Sequence, residues 1–227
     1  MILFTNHVSS EVHHMSKLDD AELRRLAHTV LVREAAGLTN LADTVEPSVV
    51  RVARAVVETT GKVITTGSGT SGIMAERLAH LLSVCGAPAL YLPAMDALHG
   101  GMGAIGTTDL VLAVSKTGRS TELTQLVTRL VDRGVHVIAV TEDAGSPFGN
   151  AATEVAELPA TAADSDPGNM IAMTSTLAVG AWGDAVSVVA MALSGHTMHD
   201  VVNSHPAGGV GTREDVMSDT DKPVVGL

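Results

Sequence analysis

The chain has 227 residues, with 14 Lys and Arg against 25 Asp and Glu, a formal net charge of −11. That balance argues against a nucleic-acid binder, which needs a basic face to displace counterions, and against a polybasic membrane anchor. Aromatic residues make up 2% of the chain (Phe4, Tyr91, Phe148 and Trp182), too few for base-stacking platforms, and the single Cys85 excludes an internal disulfide and a zinc ribbon.

The opening stretch MILFTNHVSSEVHH has no basic region followed by a sustained apolar run, so a secretory signal is not expected and a cytoplasmic location is. Over 16–44, Ser16 can cap a helix whose first turn carries Asp19, Asp20 and Glu22, with Leu23, Leu26, Val30, Leu31 and Val32 near helical spacing and a possible interruption at Gly37. A second helix restarts at Glu46-Pro47-Ser48 and ends at Gly61. From there short apolar runs alternate with helical patterns. Strands are expected at 62–66, 89–92, 109–115, 135–141 and 154–158, with helices after Gly72 and over 120–133. Continuous apolar strands alternating with helices indicate a parallel sheet covered on both faces.

The expectation is therefore an α/β fold: a five-stranded parallel sheet in a three-layer, doubly wound α/β/α sandwich, with its site outside the carboxyl ends of the strands. Residues 1–60 form N-terminal helices packing on a core domain over 61–211, and 212–227 form a short polar tail. Residues 170–195 carry Asp184 as their one charge and are long enough to span a bilayer, but their Thr and Ser content and missing basic flank favour a buried domain or subunit-interface helix.

Three segments carry chemistry. Gly67-Ser68-Gly69-Thr70-Ser71-Gly72 lies between a strand and a helix and fits the G-x-G-x-x-G pattern. Read alone it admits a dinucleotide site, another phosphate site or a plain tight turn. Ser115-Lys116-Thr117-Gly118-Arg119-Ser120 is a second strand-to-helix turn, with three hydroxyls, two cations and the N–H groups of a helix start, which suits a phosphate monoester. Capping of the helix by Ser120 is the plainer alternative. Asn203-Ser204-His205-Pro206-Ala207-Gly208-Gly209 places a histidine in a rigid loop, where it can shuttle protons near neutral pH. His13 and His14 are adjacent, and His196 and His199 have no Cys or carboxylate triad beside them, so no metal is expected.

At these segments the chain resembles the sugar isomerase (SIS) domain family, in particular its arabinose-5-phosphate isomerase branch. The resemblance is carried by GSGTSG at 67–72, DALHGG at 96–101, DLVLAVSKTGRSTEL at 109–123, TST…GD at 174–184 and SHPAGGVG at 204–211, and spans roughly residues 61 to 211. It implies a flavodoxin-like α/β/α fold, a small-molecule sugar phosphate as ligand, aldose–ketose isomerisation, and a homodimer or homotetramer with sites at subunit boundaries. By the same resemblance Ser71, Ser115, Thr117 and Ser120 match phosphate-binding hydroxyls, with Gly69, Thr70 and Lys116 in the same loops. His99 matches a histidine beside the sugar, and Glu122 and His205 match catalytic positions. Asp164 aligns with the branch's acidic residue before the long helix, with Pro167 as anchor. The branch has Lys where this chain has Thr70, and commonly Glu where it has Arg119. Longer relatives carry paired CBS modules after this region; Asp215-Val216-Met217 resembles the linker to them, and the chain is expected to lack that regulation.

Moving a proton between neighbouring carbons through an enediol needs a base near neutral pKa and an acid at the carbonyl oxygens, and no redox cofactor. His205 is assigned the proton transfer, with Glu122 and Asp164 assisting ring opening or shuttling protons between oxygens. Two other readings stay open: a phosphosugar-binding module without turnover, and a lyase, etherase or nucleotide-dependent activity on the same fold.

Overall fold

The computed structural model describes residues 18–44 and 46–212. The proposed cap at Ser16, the His13–His14 pair and the tail beyond Thr212, with Asp215-Val216-Met217, lie outside the described residues. In chain order the elements are α1 (Asp20–Thr44), α2 (Glu46–Glu58), β1 (Val63–Gly67), α3 (Gly69–Val84), β2 (Ala89–Tyr91), α4 (Ala94–Leu98), β3 (Leu110–Val114), α5 (Thr121–Asp132), β4 (His136–Thr141), α6 (Pro147–Ala151), β5 (Glu154–Glu157), α7 (Thr174–Ser194), α8 (Met198–Ser204) and α9 (Gly208–Gly211).

The five strands form one parallel sheet in the order β2-β1-β3-β4-β5, as the alternating pattern predicts. Both strand faces are buried, and alternate residues serve different cores. Val63, Leu110, Leu112, Val114, Ile138 and Val140 pack beneath α2, α3 and α7. Ile64, Val111, Ala113, Val137 and Ala139 pack against Leu123, Leu126, Val127 and Leu130 of α5 and Phe148 of α6.

The apolar helix α7 is the spine of the first layer, packing against α1, α2 and α3. It starts at Thr174 rather than at Met170, after a 3₁₀ turn at Pro167–Asn169. Trp182 is fully buried and donates from Nε1 to Ser48 Oγ of α2 at 3.1 Å, so its one polar atom is satisfied. Small residues set the crossing with α3: a Cβ at Gly183 would stand 3.0 Å from Leu78 Cδ1, and one at Gly180 2.8 Å from Met74 Cε. Arg77 of α3 clamps the same crossing by donating from both terminal nitrogens to Asp184, at 2.6 and 3.1 Å.

Two local expectations are corrected. α1 runs unbroken through Gly37, because that glycine is where α1 crosses α7: a Cβ there would overlap Thr174 Cγ2. The first turn of α1 is capped by Asp19, whose Oδ1 accepts from Glu22 N–H while Glu22 accepts from Asp19 N–H, both at 2.8 Å. The segment around His205 is likewise not a plain loop, since the short helices α8 and α9 flank it.

Replacing Trp182 by Ala removes a fully buried indole from the α2–α7 contact. The expected loss is about 3–5 kcal/mol of stability, read by circular dichroism in urea. A loss below about 1 kcal/mol would mean that α7 is not the spine described.

Candidate functional site

Parallel register places the carboxyl end of β1 beside that of β3, with Gly67 opposite Val114. The chain leaves β1 through α3 onto one face and leaves β3 through α5 onto the other. A crevice therefore opens between them, at the topological switch point where α/β sheets bind ligands. The 67–72 and 115–120 loops are its two lips.

The first lip is built by close backbone approach. A Cβ at Gly67 would meet the Ser71 carbonyl at 2.9 Å, and one at Gly72 would meet Tyr91 Oη at 2.8 Å, so neither position admits a side chain without displacement. Gly69 takes a left-handed φ of +57°, which favours glycine at the first residue of α3. Ser68 gives α3 no side-chain cap, leaving the N–H groups of that first turn to face the crevice along with exposed Thr70 and half-buried Ser71.

The second lip is held from below. Lys116 carbonyl oxygen accepts from Glu142 N–H at 2.9 Å and from Thr141 Oγ1 at 3.0 Å, and Ser115 N–H donates to Val140 O at 3.0 Å. Gly118 has φ +61°, and a Cβ there would overlap Ser146 Oγ. With the loop carbonyls turned toward β4 and its following turn, the N–H groups of Thr117, Gly118 and Arg119 have no partner among the described residues. Ser120 caps α5, its Oγ accepting from Leu123 N–H at 3.3 Å, so the capping alternative holds for this residue, and its hydroxyl also faces the Glu122 carboxylate. Ser115 is buried, and Thr117 and Arg119 are exposed.

Lys116 does not stand alone. Its ammonium donates to Asp166 Oδ2 at 2.7 Å. Ser175 Oγ donates to the same oxygen at 2.6 Å, and Oδ1 accepts from Met173 N–H at 2.9 Å and Ser175 N–H at 3.3 Å. Burial pushes the Asp166 carboxyl up, but Lys116, the Ser175 hydroxyl and the two N–H groups more than reverse this and hold it at about 2, from an ordinary 3.8.

Asp166 is absent from the expected site residues, which named Asp164 two positions earlier. The structure sets the two carboxylates apart: Asp164 pairs with Arg33 of α1 at 2.9 Å and is exposed, whereas Asp166 is buried. The proline anchor at 167 and the hydroxyls at 174–176 were the available signal for an inward-facing carboxylate. Their partner, fifty residues earlier in the chain, gives no local pattern.

His99 and Glu122 come together, lining one surface cavity of about 420 Å³ with Met102, Gln125 and Arg129. His99 Nδ1 lies 2.7 Å from Met95 O; a carbonyl can only accept, so the neutral ring carries its hydrogen there and leaves Nε2 open. Glu122 bends back onto the start of α5, where its own N–H and the hydroxyls of Ser120 and Thr121 hold its carboxyl below the usual range. It is therefore ionised at neutral pH. His205 is elsewhere: its ring packs edge-on against His80, with centroids 6.2 Å apart. His80 lies eleven residues along α3 from Gly69, about 16 Å down the helix axis, so one chain does not bring His205 over its own lips. A larger cavity, of about 970 Å³, lies at the amino ends of β3, β4 and β5, lined by Arg51, Arg54 and His136, and contains none of the expected site residues.

Residues 58–182 match the family model described as SIS domain. The chain is 32% identical over 196 residues to arabinose 5-phosphate isomerase GutQ of Salmonella typhi, a match covering 86% of this chain and 60% of that protein. It thus spans 60% of the length of that curated relative. Among solved structures it is similar to a protein of Listeria monocytogenes str. 4b F2365, with a TM-score of 0.78, 32% identity, and coverage of 84% of this chain and 100% of that one. It shares its fold with a protein of Escherichia coli CFT073 in complex with a sugar phosphate, with a TM-score of 0.79, 24% identity, and coverage of 83% and 100%.

The depressed carboxyl of Asp166 has a stability consequence. Its contribution is present above the unfolded pKa near 3.8 and is lost as pH falls through about 2, for a total of about 2 kcal/mol. Urea denaturation at pH 5 and at pH 2.5 should therefore show a smaller pH-dependent loss for Asp166→Asn than for the parent. Equal losses would mean that the carboxylate is not held as described.

Proposed function

We propose that this chain, which belongs to the SIS domain family, interconverts an aldose phosphate and a ketose phosphate, with pentose phosphates such as arabinose 5-phosphate the foremost candidates. One observation carries the reading: two hydroxyl-rich helix starts face each other across the β1/β3 switch point, in a chain 32% identical to an arabinose 5-phosphate isomerase. Two such starts suit a terminal phosphate. A dinucleotide site would use the first alone.

In this reading Ser71, Ser115, Thr117 and Ser120 donate to phosphate oxygens, together with the free N–H groups of both lips. Thr70 and Gly69 shape the first lip. Arg119 supplies positive charge, and Lys116, its charge matched by Asp166, supplies ammonium donors. Isomerisation then removes a proton from the carbon beside the carbonyl, leaves an enediol, and returns a proton to the neighbouring carbon, while a hydroxyl proton crosses between the two oxygens. One carbon is oxidised as its neighbour is reduced, so the step balances internally. His205 fits the carbon-bound proton. Ionised Glu122 and the open Nε2 of His99 fit the oxygens. Asp164, held by Arg33 at the rim, is given no proton step.

Because His205 lies along α3 from its own lips, a second copy of the chain supplies it, in a homodimer or homotetramer. Apolar side chains exposed on α1 (Leu23, Leu26, Leu31) and α7 (Leu177, Val188, Leu193) suit such an assembly. The reading places this work in the cytoplasm.

A panel of pentose, hexose and amino-sugar phosphates with nucleotides, followed by thermal shift, tests the ligand class. We expect stabilisation by a pentose phosphate and deuterium uptake from heavy water at the carbon next to its carbonyl. Stabilisation by NAD alone would overturn the phosphosugar reading, and stabilisation without deuterium uptake would leave a binding module. The shared site has its own measurement. His205→Gln and Ser115→Ala should each lose turnover, and after co-refolding the mixture should regain roughly a quarter of parental activity, because half the dimers are mixed and each has one intact site. No recovery on mixing would place His205 in its own chain's site.

A further inference from the structure

Asp166 has no part in the proton steps above, yet it is the most heavily bonded side chain near the crevice. It is 1% exposed and accepts four hydrogen bonds. Three of the donors belong to the start of α7 and the fourth is the Lys116 ammonium. A lysine side chain is a flexible stem with three donors at its tip. Here one donor is committed to a carboxylate fixed by a helix start, and the side chain keeps 23% of its surface open.

We propose that Asp166 is a positioning residue: it pins Lys116 so that the remaining ammonium donors meet a phosphate held between the two lips. The inference rests on the reading of the 115–120 loop as a phosphate cradle. It makes the effect of Asp166 depend on the lysine. With Lys116 present, the two charges compensate at short range and the lysine is held in place. Without it, Asp166 is an ionised carboxylate with no countercharge beside the anion, and it repels the phosphate. A carboxylate that merely supported α7 would act the same way whether or not the lysine was there.

A double-mutant cycle separates the two cases. Asp166→Asn keeps a carbonyl oxygen for the Met173 and Ser175 N–H groups while removing the charge that faces Lys116. Binding of inorganic phosphate to the full chain, measured by titration calorimetry, should weaken roughly tenfold on Asp166→Asn. In a Lys116→Met background the same substitution should strengthen binding several-fold. In a Lys116→Arg background, which keeps a cation within reach, it should weaken binding again. With a turned-over sugar phosphate, KM should carry the change and kcat should move less than about threefold. If Asp166→Asn does not fold, Asp166→Glu replaces it, with weaker binding in the parent and no change in the Lys116→Met background. Equal factors in both backgrounds, or no effect in either, would overturn the positioning role. A parent that binds neither inorganic phosphate nor any sugar phosphate would sink the cradle reading and this inference with it.

Discussion

The order β2-β1-β3-β4-β5 forces the chain outward from β1 in one direction and outward from β3 in the other. A parallel strand cannot be joined to its neighbour by a tight hairpin, so each connection must cross a face of the sheet. β1 and β3 are neighbours whose connections take opposite faces. No side chain can fill the gap where they part without blocking one helix or the other. The crevice, the two converging helix starts and the glycines that let backbone crowd at Gly67 and Gly72 all follow from that divergence.

If the crevice holds a phosphate as proposed, this acidic chain must attract it by local means. At long range its net charge of −11 opposes the approach. At short range, N–H groups and hydroxyls fixed at helix starts need no reorganisation and are not cancelled by distant carboxylates, which salt screens. Lys116 in the second lip is already matched by Asp166, so the crevice gains little net charge from that pair. Selectivity for a small phosphate over a polyanion is consistent with this arrangement, since polyanions require charge spread over a broad face.

The sheet and the two lips were legible because both leave local marks. Uninterrupted apolar runs such as 110–114 can be buried only on two sides, and Gly, Ser and Thr between a strand and a helix announce a tight turn. The helix α4 and the turns beyond it left weaker marks, being a single turn each. What could not be read was pairing at a distance. Asp164 and Asp166 look alike in sequence, and their fates differ because Arg33 reaches one and Lys116 the other. His205 reads as a base in a rigid loop, and nothing local reveals that its neighbour is His80, on α3. Gly37 looked like a helix breaker because nothing local reveals that another helix crosses there.

That crossing links parts of the molecule that share no sequence pattern. Thr174, the residue against which Gly37 lies, sits between Met173 and Ser175, and both of these donate to Asp166. Asp166 in turn holds Lys116. A larger side chain at Gly37 would push the start of α7 away and shift the carboxylate it grips, so α1 works as a lever whose far end is the lysine in the second lip. Position 37 is thus joined to the ammonium group of Lys116 through three contacts in series.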